Sequence, residues 1–256
     1  MGWTAFFLLG FTSQLIQMLL LKYLWISFFG QEIFLTLAFA TWLLFSTLGV
    51  MAGTLLGWYL SSFKWISTLL FLFFALLFFL PLVILLSPIF FKIPRGQPLS
   101  LSHLVLVCLV TLGPSAFGIN FFFPLFLKDF TSILSPPESY GFEALGALLG
   151  GLGFTFLLLY FPFPLIWSLF AILWALYFFK LEFQNKGIWS KAFSFLFLGL
   201  GSILLLFSFS IENKWMEKRW SQYIKEKIRL QETFSTPYGH GSILKMDKTT
   251  YFYYNG

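Results

Sequence analysis

The sequence predicts an all-α transmembrane helical bundle of about seven spans, followed by a short amphipathic helix and a β-hairpin. Hydrophobic residues make up 59% of the 256-residue chain and charged residues only 10%, whereas soluble domains contain about 25% charged residues. Long charge-free runs recur up to Ile211, and about 20 apolar residues suffice to cross a bilayer. Beyond Ile211 the composition becomes polar and basic, which indicates that the last segments lie outside the membrane.

The charge-free runs place the spans in order. The first four are expected at 2–21, 33–63, 65–91 and 100–127. The next run, 144–179, is too long for one span. Pro162 and Pro164 divide it, because each proline removes a backbone donor that a helix needs. We therefore expect a fifth span near 140–160, a sixth near 164–180, where a re-entrant hairpin is the alternative, and a seventh at 192–211.

The fifth span is the one around which we expect the bundle to be organised. Glu143, Gly146, Gly150 and Gly153 follow one another at spacings of three, four and three residues, so they share one face of a helix. A stripe of small residues lets another helix approach backbone to backbone. The carboxylate needs a partner or water inside a membrane. The stripe is therefore predicted to face a neighbouring span.

Two other spans carry faces that suit this stripe. Gly49, Gly53 and Gly57 are spaced four apart in the second span and form another close-packing face. Gln14 and Gln17 are three apart in the first span, where buried amides must find hydrogen bonds. The two glutamines either join helices together or line a polar cavity with the carboxylate of the fifth span. A cationic ligand would suit such a cavity.

The fourth span has the composition of an interrupted helix. It holds Pro114, Gly118, Asn120 and Pro124. A helix that is broken at such residues can line a binding cavity, although a plain kink is the commoner result of a proline.

The charge distribution predicts a cytoplasmic tail. The formal net charge is +6, and eight of the sixteen lysines and arginines fall within 213–256. A basic segment after membrane spans is typical of the cytoplasmic side and can contact anionic lipid headgroups. We expect a multi-pass protein of the cell's inner (plasma) membrane, with lipid as its main partner. Nucleic acid is not an expected partner, because the basic residues do not lie on a recognisable nucleic-acid-binding module.

No catalytic, metal-binding or cofactor-binding residue is predicted, and no cofactor. Cys108 is the single cysteine, so an internal disulfide is impossible. His103 and His240 lack the spacing of metal ligands. The Gly150-Gly151-x-Gly153 run lies inside an apolar helix with no preceding strand, so it lacks the context of a dinucleotide-binding turn.

Two smaller segments follow the last span. Met216, Trp220, Ile224 and Ile228 are spaced four apart among charged residues, which predicts an amphipathic helix lying on the membrane or on a following domain. Further on, 242–245 and 249–254 read as two strands, joined by a turn.

A hairpin of two strands is only marginally stable in water. We therefore interpret this one as the truncated start of a soluble domain. The expected organisation is a transmembrane bundle at 1–212, a linker helix at 213–233 and the start of the soluble domain at 234–256.

Three stretches resemble the membrane-anchored spermidine synthase family, bacterial proteins with an N-terminal helical bundle and a C-terminal aminopropyltransferase domain. GFTSQLIQMLLLK at 10–22 is similar to the family's first span, although Lys22 stands where an arginine is usual. YGFEALGALLGGLGFTFLL at 140–158 is similar to its glycine-rich fifth span. STPYGHGSILKMDKTTYFYYNG at 235–256 is similar to the entry hairpin of the synthase domain, although Gly239 follows Tyr238 where soluble synthases often have glutamine.

The resemblance implies transfer of an aminopropyl group from decarboxylated S-adenosylmethionine to a diamine such as putrescine. That reaction needs a glycine-rich turn at the nucleoside, an acidic residue on the ribose, and carboxylates that hold the diamine and accept its proton. These elements are not found in the 256 residues, so we do not expect catalysis from this chain itself. The expected partner is a separately encoded or missing aminopropyltransferase domain. The alternative is that the bundle transports or senses a small molecule, such as a polyamine.

Overall fold

A computed structural model describes four helices, three strands and parts of the remaining chain. The described ranges are 2–27, 32–57, 100–130, 133–160, 229–236, 239–246 and 249–255, with single residues or short pieces between 69 and 73, 165 and 176, and 195 and 214. The chain divides into two compact units, Met1–Phe154 and Thr155–Gly256.

The first unit is helical. Its helices are α1 (Gly2–Ser27), α2 (Glu32–Gly57), α3 (Leu101–Phe130) and α4 (Pro136–Tyr160), of which α4 continues into the second unit. All four are long and apolar enough to cross a membrane, as expected of a membrane protein. They correspond to the first, second, fourth and fifth predicted spans. The third, sixth and seventh predicted spans are described only in scattered residues, all of them helical, so a total of seven stays a prediction.

Helix α2 is described as far as Gly57, and the predicted remainder of the second span, 58–63, lies outside the described residues. The end of α1 differs from the charge-free run, because α1 continues past Lys22 to Ser27. A single lysine does not end a helix, because its long side chain can carry the ammonium group towards the membrane surface while the backbone stays helical. Charge-free runs therefore predict that a span exists better than they predict where it ends.

Helix α4 begins at Pro136, earlier than the predicted start near residue 140. The backbone N–H and the hydroxyl of Ser135 both donate to Oε2 of Glu138, each at 2.8 Å. The backbone bond is the glutamate half of a capping box, and a proline at the first helical position is favourable because its missing N–H would have had no partner there. The sequence Ser-Pro-Pro-Glu was the available signal for this start.

Helix α3 is continuous across Pro114 and Pro124, so the predicted break is wrong. Polar side chains next to the prolines donate hydrogen bonds to the carbonyl oxygen four residues earlier in the same helix. The distances are 2.7 Å for Thr111, 3.0 Å for Ser115 and 2.8 Å for Asn120. These bonds do not reach the carbonyl oxygens of Val110 and Asn120, which lose their usual donors to the prolines. Packing against neighbouring helices is what allows proline inside this helix.

The most enclosed helix is α3, not the glycine-rich α4 that we expected to organise the bundle. Of the residues in the most apolar window of each helix, 61% are buried in α3 and 17% in α4. Helix α3 contacts both α1 and α2, and the ring of Phe123 lies 4.7 Å from that of Tyr140 on α4. Helix α3 is enclosed because it contacts neighbouring helices on several sides, whereas a stripe of small residues packs against a single neighbouring helix.

Helices α1 and α3 pack antiparallel through phenylalanine rings. Gly2, at the start of α1, lies against Phe130 at the end of α3. Further along α1, the fully buried Phe6 ring meets the rings of Phe123 and Phe126 edge-on, at 5.3 and 6.5 Å between centroids. Edge-on aromatic pairs add to the stabilisation from burial, so this cluster forms the core of the first unit.

Helices α2 and α3 run parallel. Gly49 lies against Phe117, and one turn further along both helices Gly53 lies against Phe121. The end of α2 and the beginning of α3 therefore lie at opposite ends of this pair.

The second unit contains an antiparallel sheet of strand order β1-β2-β3, with β1 at Arg229–Thr236, β2 at Gly239–Met246 and β3 at Thr249–Asn255. The predicted hairpin corresponds to β2 and β3, while β1 was not predicted. The register of β1 shifts between Leu230 and Glu232, as in a β-bulge. A third strand gives the hairpin the additional pairing that two strands lack.

The predicted extent of the linker helix is wrong at its end, because residues 229–233 belong to β1. The four-residue apolar spacing stops at Ile228, so no periodicity required helix beyond that point. The rest of the predicted linker lies outside the described residues, except for Lys214, which is helical.

Candidate functional site

The first close contact between helices joins α2 to α3. A Cβ added to Gly49 would overlap the carbonyl oxygen of Phe117, and one added to Gly53 would overlap the carbonyl oxygen of Phe121 and lie 2.7 Å from Cγ of Pro124. Any side chain at these two glycines would therefore push the backbones apart.

Gly57, which shares the predicted stripe, takes part in a different way. A Cβ on Gly57 would lie at an ordinary contact distance, 3.4 Å from Cδ2 of Leu125. Its carbonyl oxygen, at the end of α2, accepts a hydrogen bond from Nζ of Lys128 on α3. A cation next to the carbonyl groups late in a helix interacts favourably with the helix dipole.

A polar bond crosses the same α2–α3 contact. Nδ2 of Asn120 donates to Oγ of Ser46 on α2 at 3.0 Å, as well as to the carbonyl oxygen of Ala116 in its own helix. The sequence analysis did not single out Ser46. It precedes Gly49 by three residues and so shares the glycine face, which was the signal for this contact.

The second close contact joins α1 to α4 and uses the predicted stripe. A Cβ on Gly146 would overlap the carbonyl oxygen of Phe7 and lie 2.9 Å from the backbone nitrogen of Phe11. A Cβ on Gly150 would lie 2.6 Å from the carbonyl oxygen of Phe11. Of the two expected partner faces, the glycine face of α2 is therefore wrong, because those glycines pack on α3. The stripe meets α1 instead.

Gly10 completes this contact from the other helix. A Cβ on Gly10 would overlap the carbonyl oxygen of Glu143. Positions along α1 and α4 increase together, from Gly10 at Glu143 to Gln14 at Gly151, so the two helices run parallel. Gly10 was not predicted, although it lies four residues before Gln14 and thus on the same face.

Gly153 lies outside the contact. Among the residues that the structure describes, nothing comes within 4 Å of a Cβ added to Gly153. Two helices that cross at an angle diverge on either side of the crossing, so the last member of a long stripe loses its neighbour.

The three predicted polar residues are spread along the α1–α4 contact. Glu143 lies level with Gly10, and Cγ of Gln14 lies 3.4 Å from the Cβ position of Gly151. At about 1.5 Å per residue, Gln14 is about 6 Å and Gln17 about 10 Å further along α1 than Gly10. They form a row along the contact and not a cluster about one point.

Glu143 is the chemically distinctive member of this row. Its side chain is half-buried, and its carboxylate makes no hydrogen bond or ion pair with a described residue. A carboxylate within a membrane helix takes a proton, water or a cation as its partner. The row can therefore receive a cation, and it holds no nucleophile next to a base.

Asp129, which the sequence analysis did not single out, is a second acidic group of the bundle. Its Oδ2 is buried without a hydrogen-bond partner among the described residues, next in sequence to Lys128 at the end of α3. An unsatisfied buried oxygen is uncommon and suggests water or an ion at that point.

In the described part of the chain, no three His, Cys, Asp or Glu side chains come together as metal ligands would. Searches against protein-family models, curated proteins and solved structures give no match to this chain. Its resemblance to the spermidine synthase family therefore stays a prediction.

Proposed function

We propose that the chain is the integral membrane region of a spermidine synthase-like protein and holds an aminopropyltransferase domain at the membrane. In this proposal the chain itself does not catalyse the reaction. The catalytic domain supplies the nucleoside-binding and diamine-binding residues. It is encoded with this region or separately.

The observation that carries the proposal is the three-stranded sheet that follows the apolar part of the chain. It covers 229–255, the region in which the resemblance expects the entry hairpin of the synthase domain. The loop between β1 and β2 contains Pro237 and Tyr238 of the TPYG motif. A small sheet of this kind gains stability from further packing, which an attached domain would provide.

The membrane location and orientation belong to the same proposal. The chain lies in the inner (plasma) membrane with its N-terminus outside and its tail in the cytoplasm, as the basic residues of 213–256 favour. Reporter fusions at residue 230 are expected to report the cytoplasmic side, and fusions after Gly57 and after Lys128 should both report the outer side. A reporter at residue 230 on the outer face would contradict the orientation.

Activity of the captured complex tests the function. The tagged chain is purified in mild detergent from cells that naturally encode it and given decarboxylated S-adenosylmethionine and putrescine. Spermidine and methylthioadenosine are expected in equal amounts from this material, and neither from the chain produced alone in a host that lacks the partner domain. A pure, monodisperse complex that forms no spermidine would refute the proposal.

The second candidate function is transport or sensing of a small cation, and Glu143 favours it. A half-buried carboxylate without a described partner suits a cationic amine in the α1–α4 contact. Proteoliposomes that contain the chain should then accumulate labelled putrescine, and Glu143→Gln should abolish uptake without changing the amount of folded protein. Uptake by the wild-type chain no greater than by empty liposomes, or equal uptake by the wild-type chain and the Glu143→Gln variant, would exclude this function.

A further inference from the structure

The sheet of the second unit has two unlike faces. Along β2, Ser242 and Leu244 are completely buried, whereas Lys245 is exposed, because successive side chains of a strand point to opposite faces. Residues that pair directly across antiparallel strands lie on the same face. Among the residues of β2 and β3 whose side chains the structure describes, the register therefore places two pairs on an open face, Ile243 with Phe252 and Lys245 with Thr250.

The open face combines an exposed aromatic ring with a cation. Phe252 is 63% exposed, Lys245 and Thr250 are exposed, and Ile243 is half-buried. Aromatic side chains at the level of lipid headgroups are typical of membrane interfaces. A lysine there can lay its apolar stem along the surface while its ammonium group reaches the headgroups.

The surrounding sequence is complementary in charge to anionic lipid. Within 213–256, eight basic residues stand against four acidic ones. Anionic lipids of the cytoplasmic leaflet attract basic segments that lie next to a membrane span. The charge of this segment is therefore complementary to an anionic lipid surface.

The short connection to the predicted seventh span also favours a lipid partner. That span is expected to end near residue 211 and β1 begins at Arg229, so even a fully extended connection spans at most about 60 Å. A short tether raises the effective concentration of the second binding site. Weak attraction is then enough to hold the sheet on a membrane to which the chain is already anchored.

We propose that the open face of the sheet docks on the anionic lipid surface of the membrane that the chain's own helices cross. This inference rests on the cytoplasmic placement of the tail in the proposed function. A docked sheet would orient an attached domain with a fixed side towards the bilayer. The rival occupant is a protein domain that covers the same face.

An environment-sensitive fluorophore on the open face distinguishes these occupants. The full chain carries Cys108→Ala, which removes the single buried thiol, and Thr250→Cys labelled with NBD. It is reconstituted into vesicles of phosphatidylcholine alone or with about one-third phosphatidylglycerol. We expect a blue shift of the emission, and quenching by a nitroxide-headgroup lipid, only in the anionic vesicles, with both effects lost at high salt.

Two variants of equal charge change provide the control. Lys245→Gln and Tyr251→Glu each make the sheet more negative by one unit, but only Lys245 lies on the open face, since the exposed Tyr251 pairs with Leu244. Lys245→Gln should weaken the quenching about fivefold, as the loss of one lysine near an anionic surface predicts, and Tyr251→Glu should leave most of it. Phe252→Ser should also weaken it, which tests the aromatic contribution.

Each remaining outcome contradicts the inference. A blue shift without quenching, equal in neutral vesicles and in detergent, would mean that protein covers the face. Unshifted emission in both kinds of vesicle would mean that the face stays in water. Neither result depends on aminopropyl transfer, so the failure of docking and the failure of the proposed function are separate observations.

Discussion

The α2–α3 and α1–α4 contacts are both built on glycine, yet they bury their helices to different extents. In the first, the glycines that meet backbone, Gly49 and Gly53, both lie on α2, and the Asn120–Ser46 and Lys128–Gly57 bonds cross the contact. In the second, both helices contribute glycine, with Gly10 on α1 facing the stripe on α4.

This difference shows that a glycine stripe marks where two backbones meet and not which helix lies at the centre. Helix α4 carries a stripe of glycines, but only 17% of the residues in its most apolar window are buried, against 61% in α3. Since lipid tails are as apolar as leucine, close packing and interhelical hydrogen bonds must hold such contacts together. We therefore expect the α2–α3 contact to contribute more to stability.

The largest effect is expected from Gly53→Ala. The added methyl group would overlap the carbonyl oxygen of Phe121, and overpacking of this kind costs about 3 kcal/mol or more when backbone must move. The matched control is Gly57→Ala on the same face, where the new Cβ would lie 3.4 Å from a side chain. Titration with SDS in mixed micelles measures the free energy of unfolding of both variants. Equal losses of stability in the two variants would contradict the close approach of Gly53 to Phe121.

A smaller loss is expected from Gly150→Ala in the α1–α4 contact. The new Cβ would lie 2.6 Å from the carbonyl oxygen of Phe11, so the free energy of unfolding should fall by about 1–2 kcal/mol. Gly153→Ala is the control, since no described atom lies near that position. Alanine favours helix over glycine by up to about 1 kcal/mol, so this control should leave stability unchanged or raise it. Destabilisation by both variants would mean that Gly153 also lies in the α1–α4 contact.

The polar bond across α2 and α3 is expected to have a moderate effect. A double-mutant cycle of Ser46→Ala and Asn120→Leu should give a coupling free energy of about 0.6 kcal/mol, the average for interhelical hydrogen bonds in membranes. The cycle isolates the pair because it cancels the loss of the bond from Asn120 to its own helix. A coupling of zero would mean that the α2–α3 contact depends on packing alone.

The smallest effect is expected from Glu143→Gln. The side chain makes no hydrogen bond with a described residue, so an isosteric amide should change the free energy of unfolding by less than about 0.5 kcal/mol. Circular dichroism and the same SDS titration check this. A loss as large as that of Gly150→Ala would show that the carboxylate, and not the glycine stripe, holds the α1–α4 contact.

The helices and the faces that bury glycine follow from local sequence rules. Spacings of three and four residues placed Gly146 with Gly150, and Gly49 with Gly53, on common faces, and the structure shows both pairs packed against backbone. The same spacing rule included Gly153 and Gly57, which make no such approach, because periodicity does not contain the angle at which two helices cross. The Ser135–Glu138 bond that starts α4 was also predictable from the sequence Ser-Pro-Pro-Glu. The predicted start near residue 140 comes from the charge-free run instead.

By itself, the sequence determined that this chain is rich in membrane-length helices, that strands follow them, and which residues share a helix face. These features depend on hydrophobicity, propensity and period, which act over a few neighbouring residues. Only the tertiary structure decided that the stripe of α4 meets α1, that α2 meets α3, and that α3 is the enclosed helix. Every span is apolar enough to pack on any other. The choice of partner therefore depends on the fit of small residues and carbonyl groups between segments far apart in the chain.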